Sequence, residues 1–336
     1  MVSLIVLFGI SDNARAEKKK AYPTFGKVHR FDPALDKILS KTAKLEKLAK
    51  GFEWSEGPVW IADGGYVLFS DIPHNRIVKW QEGKGKSVWL QPSGYTGKKK
   101  FTGSEPGCNG LMLDAKGRLV MCCHGDRAVK RFAAIDPKAK LTVLASKYGG
   151  KRLNSPNDLV FHSNGDLYFT DPPYGLPKRY ADPGRELDWC GVYRRDSKGE
   201  LTLLTKEMTR PNGIAFSPDY KTLYLAQSDP KAAVWKAFPV KADGTLGKSR
   251  LVHDSTKYVG KIPGLPDGMC VDKAGNLFAT GPGGVWIFSS AGKVLGRVDT
   301  GEATANCTFG DDGSTLYITA DMYFCRIKTM SKGMGF

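Results

Sequence analysis

The sequence predicts an all-β chain built from one radially repeated unit, and three observations carry that prediction. A short phrase recurs six times: an oxygen-bearing residue, usually a small residue next, then an apolar run. Its openings are Glu56-Gly57-Pro58-Val59-Trp60, Asn109-Gly110-Leu111-Met112-Leu113, Asn157-Asp158-Leu159-Val160-Phe161, Asn212-Gly213-Ile214-Ala215-Phe216, Asp267-Gly268-Met269-Cys270-Val271 and Asn306-Cys307-Thr308-Phe309. They are spaced by 53, 48, 55, 55 and 39 residues. After each opening comes a turn and then a β-rich stretch: Tyr66 to Asp71, Leu119 to His124, Leu167 to Asp171, Leu223 to Ala226, Leu277 to Thr280, Leu316 to Ala320. Composition is the third observation, because 39 glycines and 19 prolines beside 41% hydrophobic residues suit many short strands joined by turns. A period of this length, with one meander per repeat, is the signature of a six-bladed β-propeller around a central channel.

The elements follow in chain order. Val2 to Ile10 is a mostly apolar run, too short to span a bilayer. Ala14-Arg15-Ala16 after it fits the small-x-small pattern of a signal cleavage site, although no basic n-region precedes the run. Residues 1–16 therefore read as a signal peptide and the protein as exported, periplasmic or secreted; if the run is not a signal, the protein is cytoplasmic. Residues 17–42 read as a basic, loosely attached leader. The propeller takes residues 43–336. Its last repeat supplies three strands only: Asn306 to Phe309, Leu316 to Thr319 and Phe324 to Ile327. A propeller must close, since an open edge invites unwanted pairing, and a strand from residues 43–50 is the economical fourth. The longest loop, Pro172 to Asp188, is rich in Pro, Gly and Tyr and begins at the end of an inner strand, where long loops tend to be functional. Trp54, Trp60 and Trp235 read as packing.

The formal net charge is +16, but the lysines sit mostly in Lys18 to Lys20, Lys98 to Lys100 and the repeat turns. Without a recognition helix, an RNA-binding motif or a zinc finger, this reads as a solvated basic surface, and no nucleic-acid partner is expected. No stretch is apolar enough to span a membrane. Seven cysteines is an odd count for an exported protein. Cys122 and Cys123 are strand neighbours facing opposite ways, and Cys108, Cys270 and Cys307 lie near the repeated openings. Most read as small buried hydrophobes; one disulfide is compatible with the count, and spacing does not choose its partners.

If the repeats are blades, their leading residues form one ring: Glu56, Asn109, Asn157, Asn212, Asp267 and Asn306. Two carboxylates facing each other in a partly desolvated channel must protonate or separate unless a cation joins them. Glu56 and Asp267 with the carboxamides of Asn157 and Asn212 make an all-oxygen set, which points to a hard divalent cation. Ca²⁺ comes first, then Mg²⁺ or Mn²⁺, with Zn²⁺ as a further candidate. The competing reading is that Asn and Asp at strand starts merely cap turns, which explains one such residue better than six in phase.

Several motifs carry a specific resemblance. Trp54-Ser55-Glu56-Gly57-Pro58-Val59-Trp60, Asn154-Ser155-Pro156-Asn157-Asp158-Leu159 and Tyr168-Phe169-Thr170-Asp171-Pro172-Pro173-Tyr174-Gly175 occur in that order, followed by Arg210-Pro211-Asn212-Gly213-Ile214-Ala215-Phe216-Ser217-Pro218-Asp219 and Leu265-Pro266-Asp267-Gly268-Met269. Over roughly residues 45–330 the chain resembles the gluconolactonase and senescence marker protein (regucalcin) family. The resemblance implies a six-bladed propeller with one divalent cation in its channel, held by a Glu, an Asn and an Asp that match Glu56, Asn212 and Asp267. It sets Asn157 beside them, and related phosphotriesterase-type propellers use that Asn as a direct ligand. The regucalcin branch carries an Arg two residues before this Asn; here the position is Ser155, so contacts made by that Arg do not transfer.

The activity implied is hydrolysis of a sugar lactone to its aldonic acid. A cation beside the carbonyl would stabilise the oxyanion, and Asp267 is the expected general base. Asp171, at the rim of blade three, is the alternative base, against a plainer role as a turn-former before Pro172-Pro173. His124 ends a strand at the equivalent position in blade two and is either a structural group or a partner for substrate hydroxyls. Asn109 and Tyr174 complete the expected substrate contacts, while Asn306 reads as structural. Two rivals share the scaffold: another metal-dependent esterase, such as an aryl-lactonase or phosphotriesterase, and a non-catalytic calcium- or ligand-binding propeller.

Overall fold

Six antiparallel sheets repeat around one channel in the computed structural model, which describes residues 21–336. The expected signal peptide, and the leader up to residue 20, lie outside the described residues. Blade one runs Ser55–Ile61, Tyr66–Asp71, Arg76–Gln81 and Gly85–Leu90 from the channel outwards. The innermost strands of blades two to six are Cys108–Leu113, Leu159–Phe161, Pro211–Phe216, Met269–Val271 and Thr304–Gly310. These first strands pack against one another around the ring, with blade six against blade one. The second strands are almost wholly buried, as their β-branched and aromatic content demands.

Closure follows the expected logic. Leu45–Lys50 pairs antiparallel with Tyr323–Lys328 and completes blade six. Aromatic rings stitch the junction between blades six and one: Phe69 stacks on Phe324 with centroids 4.5 Å apart, and Trp60 on Tyr317 at 5.9 Å. The segment expected as a loose leader does more than the sequence suggested. Thr24–Phe25 adds a fifth strand to blade six, and Lys27–Arg30 adds a fifth to blade five. Gly26 makes the step between them, with φ +67 and no room for a Cβ, which would sit 2.2 Å from Asp299 O. A one-turn 3₁₀ helix, Pro33–Lys37, then buries Leu35 in the core. Basic composition hid this strap because Phe25, Val28, Leu35, Ile38 and Leu39 face the core while Phe31 and the lysines face water.

The ring positions owe their geometry to two local devices. The ladder slips by a bulge at Glu56/Val59, at Cys108/Leu111 and at Pro211/Ile214, so the oxygen-bearing residue leaves the strand pleat. Such bulges re-aim a side chain next to a site. The glycine that follows lets adjacent blades touch. A Cβ at Gly57 would lie 2.2 Å from Asn109 O, and one at Gly213 would lie 2.1 Å from Asp267 O. Hydroxyls on second strands then hold the next blade: Ser70 donates to Asn109 O (2.7 Å), and Thr170 to Asn212 O (2.7 Å).

All seven cysteines are free thiols. Cys270 and Cys307, on the inner strands of blades five and six, bring their sulfurs to 3.6 Å. No helix among the described residues is long and apolar enough to cross a membrane.

Candidate active site

A cavity of about 480 Å³ opens at the end of the channel where the first strands begin. Its floor is Glu56, Asn109, Asn157, Asn212 and Asp267, so five of the six ring residues meet there. Asn306 lines the opposite cavity, a mainly apolar space of about 730 Å³, and its side chain bonds the Glu56 carboxyl.

The floor oxygens are oriented by what the other end of each group does. Asn212 Nδ2 donates to Ser228 Oγ (2.8 Å), which donates to Pro266 O (2.6 Å), leaving Asn212 Oδ1 buried without a partner. Asn157 Nδ2 lies 3.5 Å from His124 Nε2, and His124 Nδ1 lies 3.3 Å from Glu105 Oε2. The Asn157 amide nitrogen faces His124, and Asn157 Oδ1 is left buried and unpartnered. Asp267 Oδ1 is a third such atom. Glu56 Oε2 accepts from Gly57 N (3.0 Å), with Trp54 and Asn306 also bonding the carboxyl. Three orphaned oxygens beside a buried carboxylate are costly unless something binds them.

The charges say the same. Burial, with the Asp158 carboxylate behind it, pushes the Glu56 carboxyl up to about 8. Burial, then Glu56, then Asp158 holds Asp267 well above the usual carboxylate range. Burial raises Asp158 itself to about 7. A divalent cation on Glu56, Asn157, Asn212 and Asp267 would satisfy the orphaned oxygens and offset the repulsion together. Among the described residues no three His, Cys, Asp or Glu side chains cluster to hold a metal; these four floor residues are two carboxylates and two carboxamides.

Two expected substrate contacts lie elsewhere. Asp171 is fully buried and does not line the cavity; its Oδ2 accepts from Asn154 N (2.8 Å), and burial raises it to about 7. It clips the segment leading to Asn157, as Asp71 does for Glu53 N (3.1 Å) in blade one, so it has no access to serve as base. His124 is also fully buried and sits one layer behind the floor, aiming Asn157 rather than touching substrate. A residue at a strand end can point up or sideways, and spacing does not say which. Tyr174 does line the cavity, with Ser228 bonding its hydroxyl and Asp267 nearby.

Further residues complete the wall. Trp54, read as packing, lines the cavity, as do Arg210 and Leu265. Each stands two residues before a ring member, a phase that the repeats made readable. Glu105 and Arg179 come from loops and pair at 2.9 Å, which no periodicity could signal. Asp158, next to Asn157, turns into the opposite side of the channel where blades one, two, four and five carry glycine.

The family described as SMP-30/Gluconolactonase/LRE-like region matches residues 54–321. The chain belongs to this family. It is 38% identical over 333 residues to the gluconolactonase of Zymomonas mobilis, across 96% of this chain and 92% of that protein. The solved structure of a gluconolactonase from Xanthomonas campestris superposes with a TM-score of 0.78 at 32% identity, covering 94% of this chain and 99% of that one. Regucalcin from Agrobacterium tumefaciens, a calcium-binding protein, shares the fold at a TM-score of 0.65 and 20% identity, over 94% of this chain and 96% of that one. The family assignment agrees with the propeller and with the motifs that suggested it.

Proposed function

We propose that this protein is a lactone-hydrolysing enzyme that uses a divalent cation to open a sugar lactone to its aldonic acid. The observation that carries the reading is the convergence of three unpartnered oxygens and the Glu56 carboxylate on one cavity floor. Glu56, Asn157, Asn212 and Asp267 would hold the ion, and their all-oxygen character favours Ca²⁺ over softer metals. When bound, the cation supplies Lewis-acid polarisation of the lactone carbonyl. Two relatives above 30% identity, each named a gluconolactonase, support the substrate class.

The protein's own groups do the remaining work. Asp267 lines the cavity, and its carboxylate takes a proton from the attacking water. Water adds to the carbonyl carbon, the acyl carbon–ring oxygen bond breaks, and the ring oxygen leaves as a hydroxyl after receiving that proton from Asp267. Asn109 and Tyr174 orient sugar hydroxyls on the floor and wall. Trp54 adds an aromatic side chain to the wall, and Val259, Ile262, Pro263 and Leu265 add apolar ones. The test is hydrolysis of gluconolactone by protein stripped of metal and then reconstituted, alongside a panel with an aryl lactone and a phosphotriester. Gluconolactone turnover that returns with the ion is the expected result; turnover indifferent to metal removal contradicts the reading.

Export belongs to the same reading, motivated by the apolar Val2 to Ile10 run and Ala14-Arg15-Ala16. N-terminal sequencing of the protein from its native cell should find Glu17 first.

A further inference from the structure

Inside this propeller, guanidinium groups that leave water find oxygens. Arg127 donates to Leu153 O (2.7 Å) and Gly184 O (2.8 Å), Arg76 to Asp71, and Arg195 to Leu144 O (2.8 Å). Arg210 is the exception at the site. It lines the cavity half-buried, and among the described residues its guanidinium has neither an ion-pair partner nor a hydrogen-bond acceptor. It is not loose. The group lies 5.1 Å above the ring of Tyr180, whose hydroxyl is anchored on Thr209 O (3.1 Å). Asp229 feels its charge but spends its oxygens on Thr209 Oγ1 (2.6 Å) and Lys231 N (3.0 Å).

Charge counting around the cavity isolates the same residue. Glu105 and Arg179 cancel as a pair at 2.9 Å. Glu56 and Asp267 would balance one divalent cation, and Asp158 faces the opposite cavity. One positive charge remains on the wall, fixed and partly desolvated, where electrostatic interactions strengthen. A neutral lactone leaves it unmatched.

Resting on the lactonase reading, we propose that Arg210 is a specificity-determining residue that selects lactones bearing a second, anionic group, a carboxylate or a phosphate, away from the reacting carbonyl. A planar guanidinium held on an aromatic face is suited to either group.

The test uses full-length, metal-reconstituted protein, wild type, R210Q and R210K. The substrates are gluconolactone (neutral), glucarolactone (carboxylate) and phosphogluconolactone (phosphate). The wild type should show a higher kcat/KM for at least one anionic lactone than for the neutral one. In R210Q that ratio should fall by about 10- to 100-fold, mostly through KM, as expected for loss of a charged hydrogen bond. R210K should keep part of it, and the substrate whose preference collapses identifies the group. A wild-type preference for the neutral lactone, or an equal loss on all three substrates, overturns the proposal while the lactonase reading stands. Calorimetric binding of glucarate against gluconate gives a readout without turnover. If no lactone is hydrolysed the lactonase reading fails, and equal effects of R210Q on the two acids then overturn the role of Arg210 as well.

Discussion

Asp267 is expected to act twice, as a metal-holding carboxylate and as the base. Asp267→Asn is nearly isosteric, and Asn already serves at neighbouring ring positions, so the fold should survive. With saturating Ca²⁺ the variant should still turn over lactone about 10²- to 10⁴-fold more slowly than wild type, the range of a lost general base. Full recovery of the rate would leave Asp267 as a ligand alone. His124 is a positioning residue, so its loss should appear in metal affinity before anything else. His124→Phe, which keeps a ring in the buried site, should weaken Ca²⁺ binding measured by calorimetry by about 10- to 100-fold, as removal of supporting partners does in other metal sites. Unchanged affinity would mean that Asn157 is aimed by something else.

At the scale of elements, the glycine after four of the six ring residues sets how closely blades approach. Gly213→Ala would drive a methyl group to 2.1 Å from Asp267 O, a backbone atom that cannot swing aside. The expected cost is about 1–3 kcal/mol, read as a lower Tm and a shifted denaturant midpoint. A neutral result would show that the two strands can part without loss. The inner strands of blades five and six carry the one thiol pair with sulfurs in contact among the described residues. Glutathione disulfide should oxidise Cys270 and Cys307 to a cystine, detected as a linked peptide by mass spectrometry and absent in Cys307→Ser. Closing this 37-residue separation would stabilise the protein by at most about 4 kcal/mol. Recovery of some other linked pair would rule out this pairing.

The whole molecule should respond to pH and metal together. Glu56 and Asp158 have folded-state pKa values of about 8 and about 7, above their ordinary values of 4.5 and 3.8, because burial disfavours the charged form. Between those limits the folded state holds more protons than the unfolded one, so stability of the metal-free protein should fall as pH rises from about 5 to about 8. A cation on the ring reverses the penalty for Glu56 and binds only the folded state, adding roughly 2.7 kcal/mol at a hundredfold excess over Kd. Thermal melts with and without Ca²⁺ across that range should diverge most at the alkaline end. Parallel curves would mean that the ion binds somewhere other than the carboxylates.

Periodicity was enough for the architecture, because a repeat that cannot bury its own face alone must stack around an axis. It also reached the floor of the site, since residues at one phase of a repeat must meet where the repeats converge. Closure through Leu45–Lys50 was legible for the same reason. The N-terminal strap was not, because a basic segment with a few apolar residues reads as solvent-facing until a sheet edge is there to receive it. Nor could spacing tell Tyr174, on the cavity wall, from His124 and Asp171, both behind it. Which way a side chain leaves a strand end depends on a turn and on the next blade's backbone. The pairing of Glu105 with Arg179 and the isolation of Arg210 likewise depend on loops from different blades meeting over the channel. Phase fixes what lies around an axis; only packing decides what faces the substrate.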